Sequence, residues 1–287
     1  MLYREYEPDV LKKLQETELD MLKDFAELCE KHNIDYFGVG GTTIGAVRHG
    51  GFIPWDDDID IGFTRANFDK FVEVAQKEFA GKYKVLNADT NPNYVLMSTR
   101  LVKVGTKFQE ECFKNTKCDF GIFLDLYPFE NIPDDEALMK KQAFWAWFWS
   151  KLLIMCEVSR PTLYVTGLKK AIISTVSFIG HYCLKLIPNI KRFFYKKAKA
   201  IATKYNNQET KRMAWMFDPQ MFTSMILKED VIPTKKMPYS GLEIRFPGKI
   251  ESYLTKRYGP DYMTPPPEDK RHNHPPYILS FGDDDNK

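Results

Sequence analysis

The sequence predicts a mixed β-sheet with helices packed on it, an α/β or α+β core interrupted by a run of further helices. Three observations carry that expectation. Carboxylates and apolar residues alternate over residues 58–63, the pattern of a half-buried strand. Stretches before and after it, over about 9–31 and 64–79, repeat apolar residues at helical spacing. Near Pro133 the character changes to long, aromatic and apolar helical segments that last to about Asn207.

Taken in order, Leu11, Leu14, Met21, Leu22, Phe25, Leu28 and Cys29 form the apolar stripe of a first helix. Residues 36–39 read as a short strand that breaks at Gly40-Gly41, and 42–48 as a short helix starting at that turn. Gly50, Gly51 and Pro54 make 49–55 a loop, and the carboxylate strand follows. Thr64 is the expected N-cap of a helix carrying Phe68, Phe71, Val72, Ala75 and Phe79. Further strands are expected near 83–86, 94–102 and 120–127. Asp134, Asp135 and Glu136 favour a helix start, leading into Phe144, Trp145, Trp147, Phe148 and Trp149. An apolar stretch over 171–187 and a basic helix with Lys191, Arg192, Lys196, Lys197 and Lys199 come next. Strand-and-turn chemistry returns at 237–246 around Ser240-Gly241, followed by a helix over about 249–258 and the prolines 265–267. Asp283-Asp284-Asp285 reads as a frayed acidic end. The expected organisation is a catalytic core over 1–133, a helical insertion over 134–207, and a part over 208–287 that completes the core.

At 287 residues the chain is long enough for a well-buried core. A formal net charge of +2 carries no overall nucleic-acid footprint, so no nucleic-acid partner is expected. Five cysteines without CxxC pairing indicate a reducing compartment. The first thirteen residues are charged and lack an apolar centre, so no secretory signal is expected and a cytoplasmic location, or the cytoplasmic face of a membrane, follows. The 171–187 stretch contains Ser174, Ser177, His181 and Lys185 and falls short of the roughly 20 apolar residues of a spanning helix. It reads as a buried or interfacial helix, and together with the tryptophans and the basic helix it suits peripheral contact with an anionic membrane. Mutual packing of these helices over the sheet is the competing reading.

The most informative segment is Asp56-Asp57-Asp58-Ile59-Asp60-Ile61-Gly62-Phe63. Residues two apart on a strand share a face, so Asp58 and Asp60 stand side by side while Ile59, Ile61 and Phe63 enter the core. Adjacent carboxylates repel unless a cation lies between them, and hard oxygen ligands suit Mg²⁺ or Mn²⁺. Upstream, the Gly40-Gly41-Thr42-Thr43 turn offers backbone N–H groups and hydroxyls at a helix N-terminus, an anion cradle. A phosphate cradle one loop away from a metal-binding strand is a coherent site for a nucleotide-linked substrate. Asp125, a carboxylate in an otherwise apolar strand, is the expected third ligand, with Asp119 the second choice. A salt bridge to a core arginine is the alternative role for Asp125.

The run Gly41-Thr42-x-x-Gly45-Ala46-Val47-Arg48-His49-x-Gly51-Phe52-Ile53-Pro54-Trp55-Asp56-Asp57-Asp58-Ile59-Asp60 closely resembles the signature of the LicD phosphocholine transferase family. Phe123-Leu124-Asp125-Leu126-Tyr127-Pro128, Tyr258-Gly259-Pro260-Asp261-Tyr262-Met263 and Pro266-Pro267-Glu268-Asp269-Lys270-Arg271 resemble it too. The resemblance spans about residues 18–274, with the helical middle least diagnostic. It implies an α+β protein with a nucleotidyltransferase-like mixed sheet core, and transfer of a phosphorylated alcohol from a CDP-linked donor to a sugar hydroxyl. In characterised bacterial members the donor is CDP-choline and the acceptor a teichoic acid or lipopolysaccharide glycan; relatives use other CDP-alcohols. Carried onto this sequence, the metal carboxylates fall on Asp58 and Asp60, with Asp125 in the later motif.

The expected reaction is in-line attack by a sugar hydroxyl on the phosphorus bonded to the alcohol, with CMP leaving. Two Mg²⁺ ions on Asp58, Asp60 and Asp125 would stabilise the attacking and leaving oxygens, and Asp125 is the expected general base. Arg48, Arg100, Lys103 and Arg271 are candidate phosphate contacts. Choline has no N–H to donate, so aromatic faces must hold it, each worth roughly 0.5–2 kcal/mol; Trp55 and Tyr127 flank the carboxylates and are the candidates, with core packing as the competing role. His49, His272 and His274 are not spaced as a zinc site, and turn or surface roles are expected for them. The competing functions are a nucleotidyltransferase acting on a small hydroxylated substrate, which would release pyrophosphate, and a non-catalytic binding module, against which the intact carboxylates argue.

Overall fold

In the computed structural model, residues 5–161, 166–274 and 276–282 are described. The acidic end at 283–285 lies outside the described residues.

The first helix, α1 (Pro8–Lys31), opens with proline in its first turn and buries Leu14, Met21, Leu22, Phe25, Leu28 and Cys29, the expected stripe, plus Glu18. A two-residue strand β1 (Phe37–Gly38) leads into α2 (Gly40–His49), which ends at Gly50 in the left-handed conformation. The carboxylate strand β2 runs Asp60–Thr64, so Asp58 precedes the strand instead of lying in it. Thr64 does occupy the N-cap of α3 (Arg65–Glu78), but its side chain makes no cap bond and instead accepts from Asn67 Nδ2 at 3.1 Å.

Four strands follow: β3 (Tyr83–Leu86), β4 (Thr99–Lys103), β5 (Lys107–Glu110) and β6 (Phe123–Ile132). The strand expected over 94–102 is confined to its end, because residues 87–98 form a turn organised by Asn87, whose Oδ1 accepts from the amides of Asp89 and Thr90 at 3.0 Å each. The strand expected over 120–127 begins later and continues to Ile132, where a second partner pairs with it.

Helices α4 (Glu136–Met155), α5 (Gly167–Lys185) and α6 (Ile190–Ala202) come next. Asp135 caps α4 by accepting from the Leu138 amide at 2.9 Å. The chain then returns through β7 (Arg212–Trp215), β8 (Ser224–Leu227), a short α7 (Lys228–Val231), the hairpin β9 (Lys235–Tyr239) and β10 (Leu242–Phe246), α8 (Ile250–Tyr258) and β11 (Pro276–Ser280). Ser240 and Gly241 both take positive φ at the hairpin turn, as a two-residue connection requires.

The architecture is α+β. The main sheet has the order β1-β2-β6-β4-β3, with β7 on the far half of β6 and β8 beyond it. β2 and β6 are parallel and the other pairs antiparallel, so the sheet is mixed. One face carries Ile59, Ile61 and Phe63, all fully buried, against Phe25 of α1 and Phe68 and Phe71 of α3. That apolar layer frees the opposite face for polar side chains. The C-terminal strand β11 pairs with β5 in a separate two-stranded sheet and draws residues 271–274 across the edge of the core.

Candidate active site

The site forms where β2, β6 and β4 lie side by side. Their register places Asp60 opposite Asp125, and Asp125 opposite Arg100, so three charged side chains stand in one row on the face away from α1 and α3. Asp58 joins them from the loop before β2: carboxylate oxygens of Asp58, Asp60 and Asp125 lie within 4.8 Å of one another. The two acids read as strand neighbours thus converge, although by a different local geometry.

Burial makes this cluster electrostatically costly. Desolvation, then repulsion from Asp58 and Asp125, pushes the Asp60 carboxyl well above the ordinary carboxylate range. Asp58 is raised likewise, by burial and by Asp56, Asp57 and Asp125, against the pull of His274. Asp56 is pushed to about 8 by burial and by Asp57 and Asp60. One Asp60 oxygen, Oδ1, is buried without a hydrogen-bond partner, while the Tyr127 hydroxyl bonds to the same carboxylate. Converging hard oxygen donors with an orphaned buried lone pair suit a divalent cation of the Mg²⁺ or Mn²⁺ kind.

Arg100 counters part of this charge. It is 3% exposed, its Nε donates to Asp125 Oδ1 at 3.3 Å, its Nη2 donates to Glu110 at 2.7 Å, and its plane lies 3.6 Å from the centroid of Phe123. Asp125 therefore fills both roles weighed for it: it pairs with a core arginine and also faces the other two acids. Asp119 is elsewhere, exposed and paired with Lys84 and Lys107.

The glycine turn abuts the acids. Gly40 has φ of +57°, and a Cβ there would meet Asp60 Oδ2 at 2.6 Å; one on Gly41 would meet Asp56 Oδ2 at the same distance. The Thr42 hydroxyl accepts from the Asp60 amide at 2.8 Å, tying the N-terminus of α2 to the start of β2. Thr43 is fully buried beneath the turn. The later glycines of the motif serve close packing. A Cβ on Gly45 would sit 2.3 Å from the Gly51 carbonyl, and one on Gly51 would sit 2.0 Å from Ser240 Oγ.

The remaining candidates take other positions. Arg48 bonds to the carbonyls of Tyr262 and Thr264, fastening α2 to the segment after α8. Trp55 and Arg271 meet each other: the guanidinium lies 4.1 Å from the indole centroid and pairs with Glu268 at 3.2 Å. This tryptophan face is therefore covered by a cation. Tyr127 instead packs edge-on against Trp215 at 5.1 Å, and Trp215 against Phe217 at 4.8 Å, an aromatic corner one residue pair along from Asp125.

Several residues at the site escaped the sequence reading. His274 donates its backbone N–H to Asp57 and sets its ring Nδ1 3.4 Å from Asp57 and 3.2 Å from Asp58. Desolvation works against its charged form, but Asp58 and Asp57 outweigh it and hold the imidazole well above its ordinary range. Asp57 is fully buried and also accepts from Tyr6 at 2.6 Å. Glu18 comes from α1 to the Asp56–Asp58 loop, with no solvent exposure and no hydrogen-bond partner on either oxygen, its pKa well raised by burial, Asp58, Asp57 and Asp56. Arg257 lies four residues, one helical turn, after Tyr253, whose phenol abuts the Gly40 amide; its Nη1 donates to Ser224 Oγ at 2.7 Å. A cavity of about 270 Å³ opens beside it, lined also by Arg212 and Lys256. Glu18 alone left a local signal, a carboxylate four after Leu14 and three before Met21 on the buried stripe.

The LicD/FKTN/FKRP nucleotidyltransferase domain matches residues 33–153, a span holding every candidate above except those on α1 and in the C-terminal part. The lipopolysaccharide cholinephosphotransferase LicD of Haemophilus influenzae is 28% identical over 266 residues, covering 89% of this chain and 92% of that protein. An uncharacterised protein of Rickettsia typhi is 33% identical over 114 residues, 38% of this chain and 36% of its own length. An uncharacterised protein of Rickettsia prowazekii is 57% identical over 42 residues, 15% of this chain and 16% of its own. The signature, the likeness over nearly the whole length and the convergent carboxylates agree: residues 33–153 match the LicD/FKTN/FKRP nucleotidyltransferase domain, and the chain as a whole is similar to a LicD protein.

Proposed function

We propose that the protein is a phosphotransferase that moves phosphocholine from CDP-choline to a sugar hydroxyl of a lipid-linked glycan, a lipopolysaccharide or teichoic acid precursor. The observation that carries it is the meeting of Asp58, Asp60 and Asp125 beside the Gly40 turn. Likeness to a lipopolysaccharide cholinephosphotransferase over nearly the whole chain supports the choice of group transferred.

In this reading Asp58, Asp60 and Asp125 hold Mg²⁺ or Mn²⁺, two ions in all, which would neutralise charge on the phosphate oxygens. Arg100 orients Asp125 by donating to its Oδ1. The acceptor hydroxyl attacks the phosphorus next to choline, its proton passes to Asp125, and the bond to the CMP oxygen breaks. The α2 N-terminus at Gly40, Gly41, Thr42 and Thr43, with Arg257 nearby on α8, supplies positive potential for the diphosphate. Tyr127, half-buried beside the carboxylates and backed edge-on by Trp215, offers an aromatic face to the quaternary ammonium.

Incubation with CDP-choline, CDP-ethanolamine and CDP-glycerol, a glycan acceptor and Mg²⁺ tests this directly. CMP release that depends on acceptor is expected, with CDP-choline the fastest donor. Preference for another CDP-alcohol would keep the chemistry and change the group. Release of pyrophosphate from a nucleoside triphosphate, with none of CMP from CDP-alcohols, would replace this reading with nucleotidyl transfer to a small hydroxylated substrate.

A further inference from the structure

The surface built by α4, α5 and α6 is unlike the rest of the molecule. Between Glu157 and Glu209 the sequence holds ten lysines and arginines and no acid, whereas the whole chain is only +2, so the remainder is net acidic. Lys191 and Lys199 are paired, with Glu157 and Asp89. Lys169, Lys170, Lys185, Arg192, Lys196 and Lys197 are exposed.

The same surface is apolar. Only Ser177 and His181 of α5 are buried, the His181 ring meeting the Met155 carbonyl at 2.9 Å. Around that narrow seam Leu168 is 78% exposed, Ile179 58% and Leu186 83%. A helix apolar over most of its circumference belongs in apolar surroundings, and no protein element provides them among the described residues. An aromatic strip continues the surface: Phe144 and Trp145 on α4 are each 41% exposed, and Trp149 links them to exposed Phe193 on α6 at 5.9 Å.

No single helix among the described residues is long and apolar enough to cross a membrane, and α5 and α6 meet at 115° over the break containing Pro188. Together the two have the length and apolar composition of a broken or re-entrant span, but the bend and the exposed lysines on both favour helices laid along a surface. Aromatic rings and lysines around an apolar face are the composition of an interfacial helix. A second copy pairing through this same face would bring like charges together, whereas an anionic lipid surface attracts them by about 1 kcal/mol per residue.

We propose that α5, the exposed side of α6 and the aromatic edge of α4 dock on an anionic bilayer, holding the enzyme beside lipid-carried acceptors. This rests on the proposed transfer to a lipid-linked glycan, but docking is read without turnover, so the two fail separately. The test is flotation of the full chain with phosphatidylcholine vesicles, with or without roughly one-third phosphatidylglycerol. Flotation is expected with the anionic vesicles at low salt, falling at about 0.5 M NaCl as charges are screened. Ile172→Glu/Ile179→Glu on α5 and Arg192→Glu/Lys196→Glu on α6 should each weaken binding about tenfold or more. Both should leave CMP release with a water-soluble acceptor unchanged. Absence of flotation at low salt would overturn the proposal. So would binding unaffected by both double variants, or a self-association that the variants abolish while vesicle binding persists.

Discussion

Arg100 shows how much one side chain can decide. It is buried among Asp125, Glu110 and the Phe123 ring, and it fixes the carboxylate assigned the acceptor's proton. Arg100→Met would leave two acids without their cation. It should cost about 3–5 kcal/mol, read as a lower urea midpoint at unchanged slope. Asp58 and Asp60 carry the opposite expectation. Each sits in a site whose like charges disfavour ionisation, so Asp58→Asn or Asp60→Asn should preserve the fold seen by circular dichroism. CMP release should still fall by on the order of 10²–10³-fold or more. Normal turnover in both variants would remove the proposed centre. These residues were legible in sequence because carboxylates spaced by apolar residues are unusual in a strand that must bury one face.

At the scale of elements, the junction of β1, α2 and β2 is the device that builds the site. The glycine turn lets Asp60 and Asp56 lie where side chains would otherwise project, and Thr42 ties the two elements together. Gly40→Ala combines a positive φ with a clash on Asp60. It should destabilise by about 1–3 kcal/mol and reduce turnover disproportionately to the loss of folded protein, as measured by chemical denaturation alongside CMP release. The strand register explains why Asp125 qualifies: parallel pairing sets it opposite Asp60. Local periodicity identified both strands, yet it misjudged their ends. Asp58 fell outside β2, and β6 ran on to Ile132 because β7 returns from far along the chain to pair with it.

For the molecule as a whole, charge is segregated. Carboxylates of Glu18, Asp56, Asp57, Asp58, Asp60 and Asp125 gather at the site, with Arg100 and His274 as counter-charges, while the helical surface is basic. Glu18 makes a pH prediction with a definite sign. Its folded pKa is raised above the unfolded value, so the folded chain holds a proton that the unfolded chain has lost. Stability then falls as pH rises above the unfolded pKa, by about 1.4 kcal/mol per pH unit for each such proton. Glu18→Gln removes that dependence, so its melting temperature should gain on the wild type between pH 5 and pH 8; a constant difference would contradict it. Mn²⁺ or Mg²⁺ should raise the melting temperature of the wild type at pH 8 by binding the folded state, and much less that of Asp58→Asn. No shift in the wild type would count against a metal at this site.

Sequence alone determined the mixed sheet, the main helices, the glycine turn and the acids beside it, because helical and strand periodicity and turn chemistry are local in the chain, and the dense motif's resemblance narrowed α/β or α+β to α+β. Tertiary structure decided what distant segments bring to those acids. His274 arrives through β11 on β5, Glu18 through the packing of α1, Trp215 through β7, and Arg271 covers Trp55 instead of leaving it open. Each depends on pairing between segments far apart in the chain, and long-range pairing is specified by the shape and burial of the assembled core, which no local spacing encodes.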